Sequence, residues 1–275
     1  MLRTLRTALR NPLFITGLVL ALFFTTVALF GRFAAPHDPL ETNIGNALAP
    51  PSAAYPLGTD DLGRCILSRV ITGCGTTLGS AALVEGVIIV TGLVIGSGAG
   101  FFGGVFDRLA LTVIDILLSF PSIILALVIA ALLGPGLPNL MAAMMAVYWV
   151  EPARIARSVA KTLREKEFVA ASRLSGSGEW RVLFLHVLPH TAPHLAVFGA
   201  LHIGSVITGI SSLSFIGLGV RPPAPEWGAI LNEARSYMQV NPLALLLTVT
   251  GIILSIGCFQ LIGEALRDAL NPRRL

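Results

Sequence analysis

The sequence predicts an all-α, polytopic membrane protein of about six transmembrane helices, and three observations carry that prediction. The chain is 54% hydrophobic and only 12% charged, with a mean hydropathy of +0.80, whereas soluble domains carry about 25% charged residues. Charge-free apolar stretches recur at the roughly 20-residue length that a helix needs to cross a bilayer. Lys and Arg, 19 in all, concentrate on alternate segments between those stretches. A water-soluble fold would have too little polar surface. Six spans fill nearly half of the 275 residues and leave no room for a separate catalytic domain.

The first span, Asn11 to Gly31, holds 21 residues without a charge and follows Arg3, Arg6 and Arg10. It exceeds the 7 to 15 apolar residues of a signal-peptide core, and Arg32 follows without an Ala-x-Ala cleavage site. A retained anchor helix is therefore expected. Pro36, Pro39, Pro50, Pro51 and Pro56 then make residues 32–69 an extended surface loop, since each proline fixes φ and removes a backbone donor. From Val70 to Phe106 the only formal charge is Glu85, and from Leu109 to Val150 the only one is Asp115. The second of these stretches is too long for one helix. Gly134-Pro135-Gly136-Leu137-Pro138 divides it into spans near Leu109 to Leu133 and Asn139 to Ala156. Two further spans are expected near His194 to Ile216 and Pro242 to Gly263. The loops between them run from about Arg157 to His190 and from Arg221 to Asn241.

Six spans put both ends on one side, and the distribution of basic residues assigns that side. With the N-terminus inside, fourteen Lys and Arg are cytoplasmic and five are outside, while acidic residues divide seven to six. The asymmetry belongs to Lys and Arg specifically. A sequence pI near 9.3 thus reports topology, and no nucleic-acid partner is expected.

Several letter matches carry no chemistry in this context. Cys65, Cys74 and Cys258 have neither a metal spacing nor a disulfide framework. Gly98-x-Gly100-x-x-Gly103 lacks the preceding strand of a dinucleotide site and reads as close helix packing in lipid. Lys161 and Lys166 are the only lysines, and neither sits in a Walker A loop, so Leu174-Ser-Gly-Ser-Gly178 is not part of an ATPase. Ser158-x-x-Lys161 is too short a match to argue acyl-enzyme chemistry. His186, His190 and His194 would share one face of an unbroken helix, but Pro189 and Pro193 are expected to interrupt it, and no metal site is assigned.

Glu85 and Asp115 are the candidate translocation-pathway residues, because an ionised group at a span centre costs roughly 2.5 to 3.5 kcal/mol on insertion scales unless it faces a cavity or partner. Asp115 follows Arg108 by seven residues and is expected to reach inner headgroups or that arginine. Glu85 lies nearer mid-span and is expected to face a pore or a subunit. An ion-coupled secondary transporter would show more such residues and a duplicated half. An intramembrane enzyme would need a catalytic set within the spans. Neither pattern is present in the sequence.

The inner loop reads Glu167-Phe-Val-Ala-Ala-Ser-Arg-Leu-Ser-Gly176, and Leu188-Pro189 follows at a fixed distance. This resembles the cytoplasmic coupling loop of ABC-importer permeases. Ala170, Ala171 and Ser172 occupy the Glu-Ala-Ala positions without the glutamate, Gly176 matches the glycine, Leu188 and Pro189 match Leu-Pro, and His186 stands in place of Ile. Leu57 to Arg64, Ser214 to Gly219 with Trp227-Gly228, and Leu266 to Pro272 are similar to the dipeptide, oligopeptide and nickel permeases, in their C-type subunit. Ala171 to Gly176 and Asn232 to Tyr237 look closest to nickel permeases.

The resemblance implies a type I ABC-importer permease fold in the bacterial inner membrane with both termini cytoplasmic. Residues 1–72 would form an anchor helix and extracytoplasmic loop, and residues 73–275 the transmembrane domain, with its coupling loop near 157–190. It implies import of nickel, or alternatively of di- or oligopeptides. The implied partners are a homologous permease subunit, two cytosolic ATPases that hydrolyse ATP, an extracytoplasmic solute-binding protein and membrane lipid. This chain would bind no cofactor and would not be an enzyme. Opposite charges along the loop allow two short amphipathic helices, with Gly176 free to turn between them.

Overall fold

A computed structural model describes residues 11–270; Arg3, Arg6, Arg10, Asn271, Pro272, Arg273 and Arg274 lie outside the described residues. Helix α1 (Pro12–Ala34) opens the described chain. Its N-cap is Asn11, whose Oδ1 accepts from Leu13 N at 2.9 Å, with Pro12 in the first turn. A folded loop with one 3-10 turn (Ile44–Asn46) leads to the long α2 (Ile66–Phe102). Helices α3 (Gly104–Leu118), α4 (Ser122–Leu133), α5 (Leu137–Tyr148) and α6 (Val150–Arg164) follow. After them come α7 (Glu167–Leu174), α8 (Glu179–Val182), a π-helical turn (Leu183–Val187) and α9 (Leu188–Phe215). The short α10 (Trp227–Ala234) and α11 (Leu243–Leu270) complete the fold. Among the described residues there is no strand, only an isolated bridge between Thr59 and Cys65.

Among the described residues four helical stretches are long and apolar enough to cross a membrane, five if α3 and α4 count as one span, which is roughly consistent with about six. That pair bends by 87° at Ser119-Phe120-Pro121, where a straight span over 109–133 was expected. Pro121 lacks the donor a continuing helix would need and disfavours helical backbone at Phe120. The residues expected to span over 139–156 fold as α5 and α6, helices of 12 and 15 residues that are not among those stretches, and α6 runs on to Arg164. Asn139 Nδ2 donates to the carbonyls of Leu133 and Gly134 at 2.8 and 3.0 Å, satisfying the end of α4 across the turn.

Helix α2 is the spine of the bundle. Its Gly96 and Gly100 lie directly on the backbone of Ala153 and Arg157 of α6, leaving no space for a Cβ. Of the expected Gly98, Gly100, Gly103 packing set, only Gly100 has that role. Gly103 instead turns the chain into α3 with φ of 71°. On its other sides α2 packs against α1 and α9, and α1 also packs along α11. The main core joins Val84 and Ile88 of α2 with Met144 and Val147 of α5, Ile207 and Ile210 of α9, and Trp227.

Candidate functional site

The loop with the familiar spacing folds as two short helices with a sharp turn between them. Helix α7 ends in hydrogen bonds from Ser175 N to Ala171 O (3.0 Å), Gly176 N to Arg173 O (2.9 Å) and Ser177 N to Ser172 O (3.1 Å). Gly176 has φ of 83°, a left-handed value that a residue with a Cβ adopts only at a cost of about 1–2 kcal/mol. Open space surrounds it, so the requirement for glycine is one of backbone conformation and not of room. Arg173 then clamps the turn from outside, its Nε and Nη2 each donating to Glu179 at 2.9 Å.

This double-helix knob is seated on the ends of the long helices. Val169, Val182 and Val187 are fully buried and pack with Phe101 at the end of α2 and Ala160 of α6. Burying such side chains contributes about 1.5–3 kcal/mol each, so the knob and the ends of α2 and α6 form one packed unit. On the far side, Ala170, Ala171 and Gly176 are exposed, and Leu174 is 90% exposed. The six expected loop residues divide accordingly: Ala170, Ala171, Ser172 and Gly176 are in or beside α7, while Leu188 and Pro189 start α9.

The π-helical turn before α9 corrects the expectation that Pro189 and Pro193 break the helix. Leu188 N donates to Leu183 O five residues back, and this wider turn lets the chain run into α9 with Pro189 in its first turn and Pro193 inside it. His186 and His190 flank the Phe168 ring, whose centroid is 6.3 and 5.1 Å away. Among the described residues no group of three His, Cys, Asp or Glu side chains is arranged to hold a metal ion.

Glu85 lies inside the bundle. Its Oε2 is 2.9 Å from His202 Nδ1 on α9, and its Oε1 is buried without a partner. Both residues sit near the middle of their helices. His202 also stacks on Phe198 with centroids 4.9 Å apart and meets Tyr148 edge-on at 5.8 Å. The sequence reading overlooked His202, although it was detectable as an ionisable side chain in mid-span.

Asp115 pairs across helices with Arg154 of α6 at 2.8 Å, on a face where both side chains are more than half exposed. The expected partner, Arg108, is seven residues back on the same helix, about 10 Å along its axis. A second inter-helix pair, Asp107 with Arg157, lies near it, with Arg157 Nη2 to Asp107 Oδ2 at 2.7 Å.

The opposite end of the molecule carries an ion-pair cluster that sequence reasoning did not identify. Asp60 Oδ1 accepts from the backbone of Leu62 and Arg64 at 3.0 and 2.8 Å, forming an Asx-type turn. Arg64 Nε donates to Asp60 Oδ2 at 2.6 Å, and Arg64 and Arg69 both donate to Glu233 Oε2, at 2.7 and 2.8 Å. Arg69 adds the carbonyls of Pro39 and Pro223 at 3.2 and 3.1 Å. Both guanidiniums are buried. Burial raises the pKa of Glu233, opposed by Arg69 and Arg64, and burial likewise raises that of Tyr237. Glu226 caps α10, accepting from Ala229 N at 3.1 Å and Thr77 Oγ1 at 2.9 Å. The loop over 32–69, expected to be extended surface, is therefore anchored by buried polar contacts at its end.

Comparison with known proteins places these features among transport proteins. Residues 92–275 match the family described as binding-protein-dependent transport system inner membrane component, and residues 2–51 match the N-terminal transmembrane domain of oligopeptide transport permease C. The nickel transport system permease protein NikC of Escherichia coli K12 is 38% identical over 256 residues, covering 93% of this chain and 92% of that protein. The dipeptide transport system permease protein DppC of Alkalihalophilus pseudofirmus is 36% identical over 264 residues, 96% of this chain and 87% of that one. The glutathione transport system permease protein GsiD of Pectobacterium atrosepticum is 34% identical over 270 residues, 98% and 89% of the two chains.

Proposed function

The chain belongs to the family of inner membrane components of binding-protein-dependent transport systems, and on that premise we propose that it imports nickel as one of two permease subunits of an ATP-driven importer. The observation that supports this mechanism best is the knob built by α7, Gly176 and α8 on the ends of α2 and α6. Ala170, Ala171, Ser172 and Gly176 form its ATPase-facing side, and Leu188 and Pro189 lead its motion into α9. Two cytosolic ATPases closing on ATP would displace the seated knobs as rigid bodies and move the spans between inward and outward openings. Chemistry with ATP belongs to those subunits, and this chain holds no cofactor and catalyses no covalent step.

The same proposal includes a homologous permease partner, an extracytoplasmic solute-binding protein, cytoplasmic termini, and a division of the chain near residue 72 into anchor region and transmembrane domain. Asp115 supplies the pathway with an acid on an open face, paired to Arg154. Glu85 acts from within the bundle through its hydrogen bond to His202, which links α2 to α9. Nickel is the favoured solute, on the likeness of Ala171 to Gly176 and Asn232 to Tyr237 to nickel permeases. Di- or oligopeptide import by the same mechanism is the second reading, favoured by the near-equal identity to the dipeptide permease protein.

Uptake of radiolabelled nickel and of a radiolabelled dipeptide, in cells with and without the gene for this chain, tests both. Loss of nickel uptake alone is expected; loss of dipeptide uptake alone establishes the second reading, and loss of neither removes both.

A further inference from the structure

The long helices of the bundle differ in what they expose. Val19, Phe23 and Phe30 are exposed on α1, Leu83, Val90 and Val94 on α2, and Leu246 and Ile253 on α11, apolar surfaces suited to lipid. Helix α9 exposes no large apolar side chain between Leu188 and Phe215. Its exposed positions include His194, Ser205, Thr208 and Ser212, which recur at helical spacing and form one stripe. Polar side chains on a membrane helix face the bundle interior or a water-filled cavity, so this stripe borders an aqueous path. His202 precedes Ser205 by three positions and lies at the edge of the stripe.

The two ring nitrogens of His202 have different surroundings. Nδ1 is 2.9 Å from Glu85 Oε2. An ionised carboxylate only accepts hydrogen bonds, so the proton of this contact is on Nδ1, and the neutral ring keeps its lone pair on Nε2. Nε2 makes no hydrogen bond among the described residues and is not enclosed, while Phe198 and Tyr148 hold the ring. Neither α5 nor α9 contains a Lys or Arg, and the only one in α2 is Arg69, held in the ion-pair cluster at the far end. Arg154, six positions past Tyr148, is paired with Asp115. The dyad of Glu85 and neutral His202 therefore leaves one net negative charge at mid-bundle. A carboxylate behind an imidazole whose far nitrogen is open is the arrangement by which proteins present histidine to a metal ion.

We propose that His202 Nε2 is a ligand for a divalent transition-metal cation moving along the α9 stripe, with Glu85 as the positioning residue that fixes the tautomer and the ring. The proposal rests on the nickel reading above for the identity of the solute, and imidazole is a suitable ligand for that ion. Binding exchanges one water of the hydrated cation for the Nε2 lone pair and transfers no electron. One side-chain ligand, with water in the remaining positions, holds the ion loosely, as passage requires.

The test uses the complete importer in nanodiscs, with nickel chloride as the probe, and reads carbethoxylation of each histidine by mass spectrometry in the nucleotide-free and ATP-bound states. His202 is expected to react in at least one state, and nickel is expected to protect it. In Glu85→Leu the nickel concentration for half protection should rise at least tenfold, since losing the partner behind a metal-bound histidine costs about 10–100-fold. Glu85→Gln still accepts from Nδ1 and should shift it less. In proteoliposomes with the binding protein, cadmium should inhibit solute uptake at least tenfold more strongly in His202→Cys than in the unaltered importer, because a thiolate is the softer ligand. A residue with only a structural role would not change metal preference. The proposal is overturned if His202 stays unreactive in both states, since the partner permease would then cover Nε2. Reactivity that nickel does not reduce, equal protection in Glu85→Leu, or unchanged cadmium sensitivity in His202→Cys would also overturn it. Protection of His202 in an importer that takes up a dipeptide and no nickel supports the site and removes the nickel reading. Nickel uptake with His202 unprotected keeps that reading and removes the site.

Discussion

The two ends of this bundle hold their charged residues in opposite ways. At the Asp60 end, two guanidiniums are withdrawn from solvent and shared between Asp60 and Glu233, joining the loop before α2, the first turn of α2 and α10. At the Gly176 end, the charges of the knob stay on the surface, and attachment to the bundle comes from valines and phenylalanines packed on α2 and α6. Buried ion pairs fix one geometry, because removing either partner strands an uncompensated charge. Apolar contacts between short helices and helix ends have no such directional demand. The Asp60 end is constructed as a latch and the Gly176 end as a transmissible handle, which on the sidedness proposed above is the asymmetry an importer needs if force enters from the cytosol.

Sidedness is the all-or-none way to break this comparison. A reporter active only outside the cytoplasm is expected to function when fused near Asn46 or Gln239 and to fail near Arg164 or after Leu275. Activity at Arg164 would exchange the two ends and remove the knob from the ATPases.

Next in size is the latch itself. Arg64→Ala is expected to destabilise the purified protein by about 3–5 kcal/mol, the range for breaking a buried ion pair, read as a fall in the thermal unfolding midpoint in detergent. A change under 1 kcal/mol would mean that Arg69 alone holds Asp60 and Glu233, and that the outer end is no more rigid than the inner one.

Much of this was legible before the structure. Long apolar runs identify spans because lipid leaves the backbone no hydrogen-bond partner except itself, and the glycine of the knob was singled out by the resemblance of its loop to the coupling loop of ABC-importer permeases. Other features were not. The Asp60, Arg64, Arg69 and Glu233 cluster joins residues up to 169 positions apart, and no local period records such a pairing. Glu85 and His202 lie 117 positions apart, so the acid was found and its partner was not. Pro121 was readable but passed over, because the apolar run around it met the length of a single span. The π-helical turn that carries Pro189 into α9 depends on packing under the knob, which spacing alone does not reveal.

Between the two ends, the Glu85 and His202 hydrogen bond offers a smaller effect. Glu85→Leu leaves His202 Nδ1 buried without its partner, at an expected cost of about 1–3 kcal/mol, together with reduced uptake. Glu85→Gln retains a hydrogen-bonding group and should lie closer to the unaltered protein in both measurements. Equal stability and uptake in all three would make Glu85 incidental to transport.

The smallest effect is expected at the surface of the knob. Arg173 and Glu179 are both partly exposed, and such pairs contribute about 0.2–1 kcal/mol. Arg173→Ala should therefore shift unfolding very little. A loss comparable to that at Arg64 would show that the inner end, too, depends on its charges.

The central claim is that the turn at Gly176 presents the knob to the ATPases in one geometry. It is tested most directly by measuring, in the same membranes, ATPase retention on purification and solute uptake for Gly176→Asn and Gly176→Pro. Asparagine tolerates left-handed backbone, and that variant should keep most of both activities. Proline fixes φ near −65° where the chain has 83° and removes the donor that binds Arg173 O. The expected result for Gly176→Pro is normal insertion, weakened ATPase retention and at least tenfold lower uptake. Full retention with full uptake in the proline variant would contradict the account, because the ATPases would then be driving the permease through some other surface.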